Sequence, residues 1–396
     1  MANDNKKYIP AIRFPEFQND GEWKRCKLSD VAVRKGKKNT KGIELPVYTN
    51  SATSGVISQE DYFDREIVTK ENLVNYGIIE PNDFVYNPRV SVTAPVGPIS
   101  RNKLSRGIMS PLYLIFGFNG GDINFFEHYF KGNSWHNYLR AKANYGARFD
   151  RINIGTKEFM DMPIPYPSLA EQKKVVDCLS SLDKYIDAAK RKLDLLKEHK
   201  RGLMQKLFPA KGKTLPELRF PEFQNDGEWV EVPFGSIINV NSGKDYKHLD
   251  VGNIPVYGTG GYMLSVNDRL SDIDAVGIGR KGTIDKPQYL KAPFWTVDTL
   301  FFLTSSKNYD IRYLYYLCQT IPWKTYGEQT GVPSLSKNSI DKLDVVITTN
   351  LVEQQKIAQS LLHLDNAMDA IEKKIHLLET HKYGLMQNLF PNLNNY

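Results

Sequence analysis

The stretch LAEQKKVVDCLSSLDKYIDAAKRKLDLLKEHKRGLMQKLFP, residues 169–209, decides the fold, because the chain contains it in two versions. The second version, LVEQQKIAQSLLHLDNAMDAIEKKIHLLETHKYGLMQNLFP, occupies residues 351–391, at an offset of 182. A shorter segment, RFPEFQNDGEW, occurs letter for letter at residues 13–23 and 219–229, at an offset of 206. The chain is therefore a constant head, a variable body and a constant tail, used twice.

Both tails carry a stripe of residues separated by alternating steps of four and three, a 3.5-residue repeat that is typical of a coiled-coil seam. The predicted seam positions in the first tail are Val175, Leu179, Leu182, Ile186, Leu193, Leu196 and Leu203. Those in the second tail are Ile357, Leu361, Leu364, Met368, Ile371, Ile375, Leu378 and Leu385. We expect the two seams to pair with each other. The alternative is that each stripe packs only on its own body.

The ends of the tails carry helix signals. Ser168 stands three residues before Glu171, and Asn350 three before Glu353, a spacing that predicts a capping box at each start. Each tail ends at Leu-Phe-Pro, because proline cannot continue a helix. Only residues 210–218 join the first tail to the second head, so we expect the second helix to return antiparallel to the first.

This pattern predicts an α+β chain in which two pseudo-twofold-related mixed α/β domains are separated by two long helices that form an antiparallel coiled coil. The bodies read as mixed α/β, because short β-type runs such as LPVYT (45–49) and TLFFLT (299–304) alternate with turn residues. The expected divisions are globular domain 1 at 1–168, spacer helix 1 at 169–208, a linker at 209–218, globular domain 2 at 219–350 and spacer helix 2 at 351–391.

Composition narrows the class of protein. A length of 396 residues with 41% hydrophobic and 24% charged side chains predicts two soluble domains. Three scattered cysteines and no apolar run of about 20 residues indicate a cytoplasmic chain with no membrane contact. The net charge of +7 favours a polyanionic partner only weakly, since residues 1–168 carry 23 basic and 18 acidic side chains, whereas residues 219–350 carry 13 and 15.

The sequence contains no motif in the context that catalysis requires. The GxGxxG match at residues 277–282 is followed by TIDKPQYLKAPF, whose prolines prevent the helix that a nucleotide site needs. The seven histidines show no metal spacing such as HExxH. We therefore expect no catalytic residue, no metal site and no cofactor in this chain.

Glycine-flanked strings of basic and amide side chains in each body are the candidates for nucleic-acid contacts. Arg and Lys pair with guanine or with phosphates, and Asn and Gln pair with adenine. The candidates in the first body are Asn87, Arg89, Arg101, Arg106, Asn144, Arg148, Arg151 and Asn153. Those in the second body are Arg280, Lys281, Lys324, Gln329, Ser336, Lys337 and Asn338. For any one of them, an ordinary surface or ion-pair role is the alternative.

The repeated head, the EQ-K start and GLMQ-LFP end of the tails, and strings such as VYNPR and GIGRKGTI resemble the specificity subunit of type I restriction–modification enzymes. The resemblance implies a DNA-binding subunit with two target-recognition domains, each reading one half of a bipartite duplex sequence, and a coiled coil that sets the gap. It also implies two methyltransferase subunits and translocase/nuclease subunits as partners, which would hold S-adenosylmethionine, ATP and Mg²⁺. The competing hypotheses are a catalytic nuclease or methyltransferase and a purely structural coiled-coil scaffold.

Overall fold

A computed structural model describes residues 8–62, 70–143, 150–306, 309–327 and 332–391. The chain divides into two compact units. Unit 1 contains Met1–Ala188 and Lys374–Tyr396, and unit 2 contains Ala189–Lys373. Each unit thus holds one globular body together with one half of each tail. No helix of the described residues is both long and apolar enough to cross a membrane.

The body of unit 1 is a mixture of short strands and short helices. Its strands are β1 (Lys24–Lys27), β2 (Ala32–Arg34), β3 (Val47–Ser51), β4 (Gly55–Ser58), β5 (Gly77–Ile79), β6 (Phe84–Tyr86), β7 (Ile99–Arg101), β8 (Gly107–Met109), β9 (Leu114–Phe118) and β10 (Pro163–Tyr166). Its helices are α1 (Leu28–Val31), α2 (Gln59–Tyr62), α3 (Ile123–Lys131), α4 (His136–Lys142) and α5 (Thr156–Met160), and the first tail is α6 (Leu169–Leu207).

The body of unit 2 follows a similar order. Its strands are β11 (Val230–Pro233), β12 (Ile238–Ser242), β13 (Val251–Gly258), β14 (Gly261–Val266), β15 (Ala275–Gly279), β16 (Gln288–Leu290), β17 (Trp295–Thr296), β18 (Leu300–Ser305) and β19 (Asp344–Ile347). Its helices are α7 (Ile311–Thr320) and α8 (Lys337–Asp341), and the second tail is α9 (Leu351–Leu389).

The two bodies share a sheet topology. A four-stranded sheet has the order β2-β9-β6-β7 in unit 1 and β12-β18-β15-β16 in unit 2, with antiparallel neighbours throughout. In both, the first and last strands of the body form a separate antiparallel pair, β1 with β10 and β11 with β19. The predicted mixed α/β class is confirmed, and the shared topology explains how bodies of different sequence fit the same constant segments.

Each tail is one continuous helix of 39 residues, about 58 Å at 1.5 Å per residue. Every predicted seam residue is buried or half-buried. In unit 2, Lys197 pairs with Glu372 (3.0 Å between Nζ and Oε1), and Lys200 pairs with Asp365 (2.6 Å between Nζ and Oδ1). Residue numbers that increase along α6 thus pair with residue numbers that decrease along α9, so the helices are antiparallel there, as predicted.

The seam residues nearest the start of each helix also contribute to a body. Val175 and Leu179 join the aromatic core of unit 1, and Ile357 and Leu361 join that of unit 2. The opposite helix contributes its last residue and the phenylalanine that follows it to the same core, Leu389 and Phe390 in unit 1 and Leu207 and Phe208 in unit 2. Each stripe thus packs on a body near the start of its helix and pairs with the other helix further along.

The repeated head links the two helices within each unit. In unit 1, Arg13 binds both carboxylate oxygens of Glu171 in the first turn of α6, at 2.7 and 2.8 Å, and the adjacent Ile12 N donates to Asn388 O near the end of α9. In unit 2, Arg219 binds Glu353 in the same bidentate way, and Leu218 N donates to Lys206 O. Both arginine–glutamate pairs are almost fully buried.

This arrangement corrects the capping-box prediction. The N-cap oxygens of Ser168 and Asn350 do accept from the amides three residues later, each at 3.3 Å. The carboxylates of Glu171 and Glu353, however, bind the arginines of the heads. A charged guanidinium with matched fork geometry is a stronger partner for a carboxylate than one backbone amide. The arginine that begins both copies of the head therefore has a structural reason.

Candidate nucleic-acid interface

Two segments meet beside the four-stranded sheet of unit 1 and form what we name junction 1, residues 87–98 and 150–155. The first segment follows β6 and the second precedes α5. Arg89 and Arg151 face each other across the junction as an isolated β-bridge. Two backbone hydrogen bonds hold the segments together, Val90 N to Asp150 O (3.1 Å) and Ile152 N to Pro88 O (2.9 Å).

Unit 2 builds the same arrangement from a different sequence, here named junction 2, residues 279–287 and 332–336. Lys281 and Ser334 form its isolated bridge. The two hydrogen bonds recur at the corresponding positions, Gly282 N to Pro333 O (2.9 Å) and Leu335 N to Arg280 O (2.9 Å). The fold therefore joins two distant segments at one equivalent place in each body, and cationic side chains lie there in both.

The shape of junction 1 depends on Asn87 and Gly97. The buried Asn87 side chain donates to Asn50 O and accepts from Arg89 N, each at 3.0 Å, so both of its polar ends are engaged in the loop. Gly97 adopts a φ of +79°, and a Cβ there would lie 2.1 Å from Asn87 O. The loop thus needs glycine at this position. In this structure Asn87 positions the loop that carries Arg89.

The exposed groups of junction 1 are those that could contact a ligand. Arg89 and Asn153 are exposed, and the Arg151 side chain is one-quarter exposed beside Asp150, with 3.6 Å between Nε and Oδ2. A groove of about 460 Å³ runs past Arg151 and Asn153 and also contains Arg34, which the sequence did not single out. Arg34 comes from β2, far from the other two in sequence, so only the fold brings it here.

Junction 2 presents a similar set of donors. Arg280 and Lys281 are both exposed, and the Arg280 guanidinium lies over the Phe301 ring, 5.6 Å from its centroid. Lys324 reaches the junction through an ion pair with Asp285 (2.7 Å between Nζ and Oδ2), and the pKa of Asp285 is lowered by this contact. A cation stacked on an aromatic face keeps its hydrogen-bond donors available at the ring edge.

The remaining candidates of unit 2 lie at the start of α8. Ser336 is its N-cap, and its hydroxyl accepts from Ser339 N at 3.1 Å, so Ser336 is engaged locally. Lys337 and Asn338 are exposed in the first turn. Gln329 lies outside the described residues, as do Asn144 and Arg148 of unit 1.

Two predicted residues of unit 1 do not join junction 1. Arg101 directs its guanidinium to Asn82, to Asn124 (2.7 Å) and to Glu127 (3.3 Å) at the edge of the sheet. Arg106 forms a surface ion pair with Glu80, 3.1 Å between Nε and Oε1. The sequence string that contains Arg89 and Arg101 suggested one cluster, but β7 carries Arg101 away from the junction and against α3.

The described residues contain no cluster of three or more His, Cys, Asp or Glu side chains that could hold a metal ion. The chemistry that the two junctions offer is hydrogen bonding and positive charge. These are the groups with which proteins contact phosphates and base edges.

Comparison with known proteins places this geometry in a family. The family model for the type I restriction modification DNA specificity domain matches residues 20–198 and 226–380, one match for each repeat. The chain belongs to this family. It is therefore a specificity subunit of a type I restriction–modification system, a non-catalytic DNA-recognition protein.

Similar proteins and solved structures come from the same kind of restriction–modification system. The MjaVIII specificity subunit of Methanocaldococcus jannaschii is 23% identical, over 98% of this chain and 95% of its own length. The crystal structure of the type I S subunit from M. genitalium has a TM-score of 0.62 at 17% identity and covers 97% of this chain and 99% of that one. A structure that describes complex assembly of the type I R-M system has a TM-score of 0.58 at 14% identity and covers 94% of this chain and 98% of that one. At these identities the solved structures show a shared fold.

Proposed function

We propose that each body reads one half of a bipartite DNA target through its junction. The observation that supports this most directly is the repeated pair of hydrogen-bonded segments, which presents Arg89 and Arg151 in unit 1 and Arg280 and Lys281 in unit 2. Cations on a rigid loop can pair with guanine edges or hold phosphates. Two independent readers joined in one chain bind one duplex with a higher effective concentration than either alone.

In the same proposal, the two long helices set the gap between the half-sites, and methyltransferase subunits dock on this chain. The constant heads and tails support this part. The head is identical in its two copies and the tails are similar, although the bodies diverge, as two copies of one partner would require. S-adenosylmethionine, ATP and Mg²⁺ would be held by the methyltransferase and translocase/nuclease subunits.

Separate substitutions in the two junctions test whether each junction reads one half-site. In the complex with methyltransferase subunits, we expect Arg89→Ala/Arg151→Ala to relax the sequence at one half of the methylated site only. Arg280→Ala/Lys281→Ala should relax the other half. Removal of a bidentate contact to a base costs roughly 1–3 kcal/mol of discrimination. The measurement is a genome-wide map of methylated adenines.

Arg106→Ala is the matched control, because Arg106 is exposed and lies in an ion pair away from junction 1. It should leave both half-sites unchanged. If both junction variants methylated the wild-type sequence with full stringency, or if either relaxed both halves equally, reading by separate junctions would be wrong.

A further inference from the structure

A second basic site lies in unit 1, beside junction 1. It is a cleft of about 840 Å³, named here the domain 1 cleft. One wall is the outer part of the junction segment, from Val92 to Pro98. The other walls include β7, the end of α3, the start of α4 and the turn between β3 and β4. The cleft thus shares the segment Val92–Pro98 with junction 1.

The cleft is lined by four cations, Arg101, Lys103, Lys131 and Arg140. Glu127 is the acidic side chain among its described lining residues, which leaves an excess of three positive charges with histidine neutral. Lys103 and Lys131 both approach Glu127 Oε1, at 2.6 and 3.0 Å. Burial would raise the pKa of Glu127, but these two ammonium groups outweigh it and hold the pKa at about 2.

Glu127 orients these cations without neutralising them. The Lys103 side chain is 63% exposed, and that of Lys131 is 45% exposed, so both ammonium groups face solvent with further donors to offer. Ser54 and Asn133 line the same cleft and add neutral hydrogen-bonding groups. Fixed lysines, an arginine and small polar side chains are the groups that contact the DNA backbone in most complexes.

Unit 2 is different at the equivalent positions. The caps Asp122 and Asp310 of α3 and α7 define an offset of 188 between these parts of the two bodies. At that offset Arg101 becomes Tyr289, and Glu127 becomes Tyr315. Lys103 and Lys131 become Lys291 and Gln319. The offset also replaces His136 by Lys324 and Asn124 by Arg312. Asp274 holds Lys291 at 3.1 Å and Asp285 holds Lys324 at 2.7 Å, so the larger excess of positive charge lies in unit 1.

The charge of the two bodies agrees with this difference. Residues 1–168 have five more basic than acidic side chains, and residues 219–350 have two fewer. The electrostatic part of DNA affinity follows the local neutralisation of phosphates, so it depends on the cations grouped in the domain 1 cleft, and the net charges of the two bodies agree in sign with that grouping.

We propose that the domain 1 cleft binds the sugar–phosphate backbone of the duplex that junction 1 reads. Domain 1 then supplies the larger share of the phosphate contacts of the whole subunit, and domain 2 relies more on contacts to bases. This inference rests on the proposed function, since it assigns a second role on the same DNA.

The test uses the complete complex with methyltransferase subunits and two duplexes of equal length, one with the sequence that the complex methylates and one without it. Affinity is measured as a function of salt concentration. For Lys103→Ala/Arg140→Ala we expect roughly tenfold weaker binding of both duplexes. The slope of log affinity against log salt should fall by about 0.9 for each phosphate that the variant no longer neutralises.

Lys291→Ala is the matched control, because Lys291 occupies the position equivalent to Lys103 and is 73% exposed. Its salt slope should stay close to that of the wild type. An unchanged slope for Lys103→Ala/Arg140→Ala, or an equal fall for Lys291→Ala, would overturn the inference. If Arg89→Ala/Arg151→Ala still relaxed one half-site in that case, reading by the junctions would stand without the cleft. Thermal unfolding of each variant verifies that it is folded.

Discussion

At the scale of single residues, the two bodies place different side chains beside the ion pair of the helix seam. Tyr316 in α7 donates to Asp365 Oδ2 at 2.7 Å, beside the seam ion pair of unit 2. At the offset of 188, His128 in α3 takes the corresponding place in unit 1, near Asp183 and Lys382. Its Nε2 lies 3.4 Å from Ser180 Oγ, and its buried Nδ1 has no hydrogen-bond partner among the described residues.

This environment predicts a pH dependence of stability. Burial, followed by the charges of Lys131 and Lys382, lowers the pKa of His128 to about 4, although Asp183 and Glu127 oppose the shift. The native state therefore keeps a neutral imidazole, whereas the unfolded chain takes up a proton near pH 6.5. Stability should fall as the pH decreases from 6.5 towards 4, by about 2 kcal/mol at pH 5 from this group.

Denaturant unfolding of the full-length chain at pH 7 and at pH 5 provides the measurement, with His128→Gln for comparison. The variant should lose about 2 kcal/mol less than the wild type between the two pH values. His136, whose pKa is also lowered to about 4 by burial and then by Arg140, is present in both proteins, and its contribution cancels. Equal losses in the two proteins would contradict the prediction.

At the scale of the helices, a charged residue interrupts each apolar seam. Lys200 pairs with Asp365, and Lys382 pairs with Asp183, which are the same two positions related by the tail offset of 182. A seam with a regular 3.5-residue repeat could slip by one heptad and still pair apolar residues. After such a slip, each lysine would face apolar side chains without its aspartate. The ion pairs therefore specify one register, a role known for polar residues in coiled coils.

Replacing Lys200 by alanine should destabilise the full-length chain by about 1–3 kcal/mol, because it leaves Asp365 partly buried without its cation. Lys197→Ala is a matched control on the same helix, since the Lys197–Glu372 pair is about half exposed on both sides. An exposed pair contributes at most about 1 kcal/mol. Thermal or denaturant unfolding measures the stability of both variants. Similar losses of stability for Lys200→Ala and Lys197→Ala would show that an ion pair in the seam contributes no more than an exposed one.

At the scale of the whole molecule, the proposed function makes the length of the tails a parameter of DNA recognition. Seven residues inserted after Arg191 and seven after Lys373, which are equivalent positions of the two tails, preserve the heptad pattern of both seams. Each helix becomes about 10 Å longer. We expect the gap between the methylated half-sites to grow by about three base pairs, at 3.4 Å per base pair.

The measurement is again a map of methylated adenines, which reports both half-sites and their separation. The half-site sequences should stay the same, because the insertion does not alter either junction. An insertion in one helix only is the control, since it disrupts the pairing of the seams and should abolish site-specific methylation. An unchanged gap with both insertions would show that the helices do not set the spacing.

Much of the organisation was predictable because it depends on short-range periodicity. The spacing from Val175 to Leu203 and its repetition from Ile357 to Leu385 predict the two helices, and alternating runs such as TLFFLT predict strands. The candidate site was predictable only in part. The sequence proposed Arg89, Arg151, Arg280 and Lys281 as candidates, and the structure places them at the two junctions. The sequence could not separate Arg101 from them, because the path of β7 after the loop depends on pairing with β6.

The sequence by itself determined the repeats, the heptad stripes and the absence of a recognisable catalytic motif, since each of these is a property of residue types at short, fixed spacing. Only the tertiary structure decided that Glu171 and Glu353 bind the heads, that two distant segments meet at each junction, and that Lys103, Lys131 and Arg140 line one cleft. Those contacts join residues up to 158 positions apart, as Arg13 and Glu171 are. Such pairings follow from how strands and helices pack, and local patterns carry no information about them.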